Sequence, residues 1–137
     1  MAATLNNPLK ESLGRYCDYL VKAGVKCFQG ALGGIEAATG YIRPLVAGDA
    51  LAGVFVDEFD NTSGADGAIT AKVLKGNEGS FCKQVNVDSL VITSIGEAVY
   101  ASDDNSLSMV NGGSDTEVGK VENYISDGVG IVRFATL

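Results

Sequence analysis

Short runs of β-branched and aromatic residues, separated by clusters of Gly, Asp, Asn and Ser, set the rhythm of this chain. The clearest pair lies at the end, where Val118 to Ile125 and Val129 to Phe134 are joined by Ser126-Asp127-Gly128. Asp-Gly between two such runs predicts a β-hairpin, because a primed turn needs positive φ, which Gly accepts freely and Asp tolerates. Upstream, Leu51 to Phe59 reads as a strand with Leu51, Phe55 and Phe59 on one side and Ala52, Val54 and Val56 on the other. Apolar on both faces over its first half, it is expected to lie centrally in a sheet. The polar loop from Asp60 to Gly67 leads to Ala68 to Lys75, where Thr70 and Lys72 alternate with Ile69, Ala71 and Val73, so the two runs form a long-looped hairpin.

Shorter runs fill the remainder: Val25 to Gln29, Ala31 to Ile35, Gly79 to Lys83, Ala98 to Ala101 and Leu107 to Val110. Tyr41-Ile42-Arg43 precedes Pro44, which has no amide hydrogen for a ladder and suits a strand end or sheet edge. Val85 to Gly96 fits either a helical turn started by Asp88 or an extended segment around Ile92 and Thr93, and the residues do not choose. About nine or ten short strands with turn signals every eight to twelve residues predict an all-β domain, a small barrel or a sandwich. Residues 1–20 break this grammar. Asn6-Asn7-Pro8 interrupts the chain, and Leu9, Leu13, Tyr16 and Leu20 recur at intervals of three and four, so an extended or partly helical arm is expected over 1–20 before a β-domain over 21–137.

Composition narrows the function. At 137 residues the chain suits one domain with a core, and 18 Gly argue against long helices, since each costs roughly 1 kcal/mol in a helix relative to Ala. The formal net charge is −7, which opposes a main partner made of phosphate backbone, so no nucleic-acid binding is expected. Charge is uneven: residues 1–26 carry four basic and two acidic side chains, a net of +2, and the remainder sums to −9. The start lacks a basic-then-apolar leader and no apolar run approaches the ~20 residues that span a bilayer, so a protein made in a cytoplasm with no membrane partner is expected.

Candidate chemistry is sparse. With 3 Cys and 0 His, neither a disulfide framework nor a zinc site is expected, and Cys17, Cys27 and Cys82 read as small buried apolar side chains. Asp57, Glu58, Asp60 and Asp66 lack the EF-hand spacing and read as a solvated strand end and turn, as do Asp103 and Asp104. Without His, a Ser or Cys nucleophile has no customary base. Gly30-Ala31-Leu32-Gly33-Gly34 lacks the Lys and Ser/Thr of a phosphate loop. No catalytic residue, metal or cofactor is expected.

Four segments in order carry a resemblance: VKAGVKCFQGALGGIEAATGYIRP, AGVFVDEFDNTSGADGAITAKVLKG, GEAVYASDDNSLSM and VGKVENYISDGVGIVRF. Together, across about residues 21 to 134, this order resembles the head-decoration, or capsid-cement, proteins of tailed double-stranded DNA bacteriophages. The resemblance implies a compact β-barrel or β-tulip and a non-enzymatic protein on the outside of the expanded capsid. It further implies a homotrimer that holds neighbouring major capsid protein subunits together. The first 20 residues lie outside the match. Their own break from strand grammar, charge and apolar spacing nominate Leu5, Asn6, Asn7, Pro8, Leu9, Lys10, Leu13, Arg15 and Tyr16 as the capsid contact, and the apolar strand faces at Phe55 and Val56 as the trimer contact or, equally, the monomer's core. The alternative reading is a glycan-binding or tail-associated, adhesin-like β-module, to which Tyr16, Tyr19, Tyr41, Tyr100 and Tyr124 could offer stacking surfaces in a chain with 0 Trp.

Overall fold

The computed structural model describes residues 15–137. Twelve strands follow one another: β1 (Tyr16–Leu20), β2 (Lys26–Cys27), β3 (Leu32–Ile35), β4 (Ile42–Pro44), β5 (Ala50–Phe55), β6 (Phe59–Asp60), β7 (Thr70–Leu74), β8 (Ser80–Asn86), β9 (Ala98–Ala101), β10 (Leu107–Ser108), β11 (Thr116–Ser126) and β12 (Val129–Ala135), with one 3-10 turn at Ile92–Ser94. The domain is all-β, as the sequence predicts. β2, β6 and β10 are two-residue strands, too short to show a period, which accounts for the lower count of nine or ten read from the sequence.

One five-stranded sheet has the order β1-β7-β5-β3-β4, a second runs β10-β9-β11-β12-β8, and β2 pairs with β6 alone. The sheets are stacked as a sandwich around one core in which Leu32, Leu45, Leu51 and Val54 meet Val99, Val118, Val121, Val132 and Phe134. A second core lies on the other face of the first sheet, where Val21, Cys27, Ala31, Ile42, Ala52, Phe55, Ala71 and Val73 pack with half-buried Phe59 of β6. The first sheet is therefore buried on both faces. That requirement excludes the barrel alternative, because a single closed barrel buries only the inward face of its strands. Each large sheet curls until its ends touch, at Val21↔Ile42 in the first and Asp88↔Ser108 in the second, but each contact is an isolated bridge and no closed barrel forms.

β5 is central, as predicted, but its faces are not those read from simple alternation. Gly33 pairs with Gly53 and Gly34 with Leu51, leaving Ala52 without an opposite residue. This bulge advances the phase by one, so Leu51 and Val54 enter the inter-sheet core while Ala52 and Phe55 enter the other. Gly53 permits it: φ is 154°, and a Cβ there would lie 2.4 Å from the Leu74 carbonyl oxygen.

The terminal hairpin forms where expected, with Val121↔Val132 and Ser126↔Val129 in register. Its turn differs from the primed form. Among the described non-Gly residues only Glu78 and Ser89 have positive φ, so at the turn Gly128 (φ 80°) alone is left-handed, and the register shifts between Tyr124 and Ser126. A bulge next to the turn supplies the twist that a primed turn would otherwise provide. Pro44 ends edge strand β4, the position its missing N–H suits. The ambiguous 85–96 stretch is split: β8 runs to Asn86, Ser89 turns the chain at φ 65°, and a single 3-10 turn follows at Ile92–Ser94.

The arm boundary is corrected. Residues 16–20 are not part of a helix or free arm but form β1, with Tyr16↔Leu74 and Leu20↔Thr70 pairing it to β7. An isolated helix of two turns is marginal in water, whereas β7 offers an open edge to five residues that include two Tyr. Leu5, Asn6, Asn7, Pro8, Leu9, Lys10 and Leu13 lie outside the described residues. The cysteine reading holds for Cys27, which is buried, but Cys17 is half-buried and Cys82 is exposed on β8, an edge strand whose outer side chains face solvent.

Candidate functional site

The first resemblance segment meets the second and the third in space. The Lys22-Ala23-Gly24 turn docks on the Asp60 to Gly67 loop: Ala23 N–H donates to Asp66 Oδ1 at 2.8 Å, Gly24 N–H to the Asn61 carbonyl at 2.9 Å and Gly67 N–H to the Val21 carbonyl at 2.8 Å. Asn61, 2% exposed, donates its side-chain amide to the carbonyls of Lys22 at 2.9 Å and Ala65 at 3.0 Å. A buried amide without such partners would cost about 1–3 kcal/mol, so this asparagine locks the joint. The second meeting joins the Gly30-Ala31-Leu32 step to the Asp103-Asp104 turn, where Leu32 N–H donates to the Asp104 carbonyl at 2.8 Å. These motifs are joints of the fold.

The acids nominated and set aside in the sequence are absorbed locally. Asp57 accepts from the Glu58 N–H, and Asp60 accepts the Thr62 hydroxyl and N–H, which hold its carboxyl below the usual range. Asp103 is held low in the same way by the Asn105 N–H and the Ser106 hydroxyl. Among the described residues no group of His, Cys, Asp and Glu is arranged to hold a metal ion.

Of the two residues named for a trimer contact, Phe55 is 1% exposed inside the second core, its ring centroid 6.4 Å from that of Phe59. It belongs to the monomer's own core and is not available to another copy. Its neighbour Val56 is half-buried.

Arg15 and Tyr16, the described members of the capsid-contact set, sit where the segment before β1 joins the domain. The Arg15 carbonyl accepts from Lys75 N–H at 2.7 Å and Gly76 N–H at 3.1 Å, fixing this point to the end of β7. Along β1, Cys17 and Tyr19 turn toward the second core while Tyr16 (38% exposed) and Leu20 (51%) stay outside. Tyr19 accepts a hydrogen bond from Lys75 Nζ at 3.2 Å. Among the described residues of β1, β7 and their ends, Arg15, Lys72 and Lys75 accompany one acid, Asp18, which faces Lys72 across the strands. The edge is thus basic and partly apolar on a protein of net charge −7.

A feature that sequence reasoning missed is a cleft of about 230 Å³ between β8 and the β9–β10 turn, with Lys83, Gln84, Asn86, Asp104 and Asn105 at its rim and Leu32 and Phe134 below. Lys83 Nζ crosses it to donate to the Gly30 carbonyl at 3.2 Å. Burial, and secondarily the charge on Asp103, push the Asp104 carboxyl above its usual range. No local motif announces the cleft, because its walls come from residues distant in sequence.

No family model, curated protein or solved structure matches this chain.

Proposed function

We propose that this chain is a head-decoration protein: a non-enzymatic virion component that binds the outer surface of the expanded capsid of a tailed double-stranded DNA phage and cements neighbouring major capsid protein subunits. The observation that carries the reading is the meeting of the first signature segment with the second and the third. Lys22-Ala23-Gly24 against Asp60 to Gly67, and Gly30 to Leu32 against Asp103-Asp104, are hydrogen-bonded joints between loops of the β-domain. The order of the segments thus describes an architecture, and that architecture leaves a basic, partly apolar edge at Arg15, Tyr16, Leu20, Lys72 and Lys75 where residues 1–14 join. Such an edge suits an acidic capsid surface, and electrostatic complementarity speeds encounter and fixes register more than it adds raw affinity.

The protein acts as a homotrimer in this proposal, because one trimer touching several subunits makes each later contact intramolecular. With Phe55 in the core, the trimer contact falls on other surfaces. Cosedimentation with expanded capsids tests the reading: the full chain pellets with them, and a chain that starts at Arg15 and keeps the parent's circular dichroism spectrum pellets more weakly. Absence of pelleting by the full chain contradicts it. The amide- and carboxylate-rimmed cleft at Gln84, Asn86, Asp104 and Asn105 favours one second reading, a β-module that binds a small polar ligand such as a glycan. A glycan array would show binding abolished by changes at that rim.

A further inference from the structure

We propose that Asn111 is a self-modifying site, converted to aspartyl and isoaspartyl by its own loop. Asn111-Gly112 is the one Asn-Gly pair in the chain. It lies, exposed, in the connection between β10 and β11. Three groups are placed for the reaction. The attacking atom is the Gly112 backbone nitrogen, and its N–H already donates to Asp115 Oδ2 at 2.8 Å, so a carboxylate base sits on the proton that must leave. The acceptor is the Asn111 side-chain carbonyl, whose Oδ1 receives the Gly113 N–H at 2.9 Å, a backbone donor aimed at the oxygen on which negative charge develops. Gly112 itself presents no Cβ: one there would stand 2.9 Å from Asp115 Oδ2, in the space the carboxylate occupies.

The steps balance without a cofactor. The Gly112 nitrogen bonds to Asn111 Cγ as its proton passes to Asp115. The Cγ–Nδ2 bond then breaks, the proton returns to the leaving nitrogen, and ammonia departs from a five-membered succinimide. Water opens either carbonyl of that ring, giving aspartate or isoaspartate. Each conversion takes the net charge of the chain from −7 to −8. The isoaspartyl product also lengthens the backbone by one methylene in the loop that leads to Thr116, whose hydroxyl accepts from the Gly48 N–H at 3.0 Å and donates to the Asp49 carbonyl at 2.7 Å, tying β11 to the β4–β5 connection.

The test is incubation of the full chain in mildly alkaline buffer, with peptide mapping by mass spectrometry to locate and time the loss of ammonia. The folded protein is expected to convert Asn111 faster than the same chain unfolded in urea, where the Asp115 and Gly113 contacts are absent. Asp115→Asn, which can keep the hydrogen bond but supplies no base, is expected to slow the folded protein about tenfold or more, a threshold set below the general-base effects of about 10²–10⁴ because hydroxide competes. In urea the two chains are expected to react alike. Conversion no faster folded than unfolded, or an Asp115→Asn rate equal to the parent's, overturns the proposal.

Discussion

Replacing Phe55 by Ala separates core from contact. Phe55 is 1% exposed, and it packs in one cluster with Ile42, Ala52 and Val73, its ring tilted 55° against Phe59. Truncation removes the buried ring and leaves a cavity between the first sheet and the β2–β6 pair. Phe→Ala in such sites costs about 3–5 kcal/mol, the sum of lost transfer energy and the void left behind. With a urea m-value of about 2 kcal/mol/M for a small domain, the unfolding midpoint falls by roughly 1.5–2.5 M. Domains of this size are stable by about 5–15 kcal/mol, so the variant keeps about 0–12 kcal/mol and is visibly weakened. Urea unfolding followed by circular dichroism gives the midpoint, and light scattering on the same samples gives the mass. A midpoint within about 0.3 M of the parent's, together with a lower oligomeric mass, would refute the core assignment and restore Phe55 as a contact between copies.

Three further outcomes follow from the structure. Gly53→Ala places a Cβ 2.4 Å from the Leu74 carbonyl oxygen at φ 154°, so a loss of about 2–5 kcal/mol is expected from strain and overpacking; an unchanged urea midpoint would show that the β5 bulge is not fixed as described. Asp104 has a folded-state pKa raised by burial, so its protonation favours the fold fully below the ordinary carboxylate pKa and the benefit is lost as pH rises through the folded value. Asp104→Asn should therefore raise the melting temperature relative to the parent at pH 7 and not at pH 3, and an equal difference at both pH values would falsify the assignment. Burial, with a smaller contribution from Asp104, pushes the Cys27 thiol up to about 11, so a thiol reagent at neutral pH should label exposed Cys82 quickly and Cys27 only on unfolding.

How much of this was legible in the sequence depends on whether the signal was local. The Asp127-Gly128 hairpin, the central place of β5 and the edge position of Pro44 each rest on residues adjacent in the chain, and each is found in the structure. The phase of β5 was not legible, because the bulge at Ala52 and Gly53 exists only opposite Gly33 and Gly34 of β3. β1 was hidden for a related reason: Tyr16 and Leu20 fit a helical interval as well as a strand, and the deciding fact is the open edge of β7, some fifty residues away. The joints show the same division. Asp66 and Asn61 could be read as turn residues, but their partners, Ala23 and the carbonyl of Lys22, become visible only once the loop lies on that turn. The cleft is built from separated segments: Asp104, Gly30 and Leu32 stood out in the sequence one by one, but nothing local showed that they meet Lys83 and Gln84.

A cryo-EM map of the proposed parent phage particle shows where the protein sits. If the protein is a head-decoration protein as proposed, β-sandwich density lies on the outside of the expanded head lattice and bridges neighbouring major capsid subunits, with the Arg15 to Leu20 edge turned toward the shell. Density confined to the tail, or none on the head, would contradict that proposal.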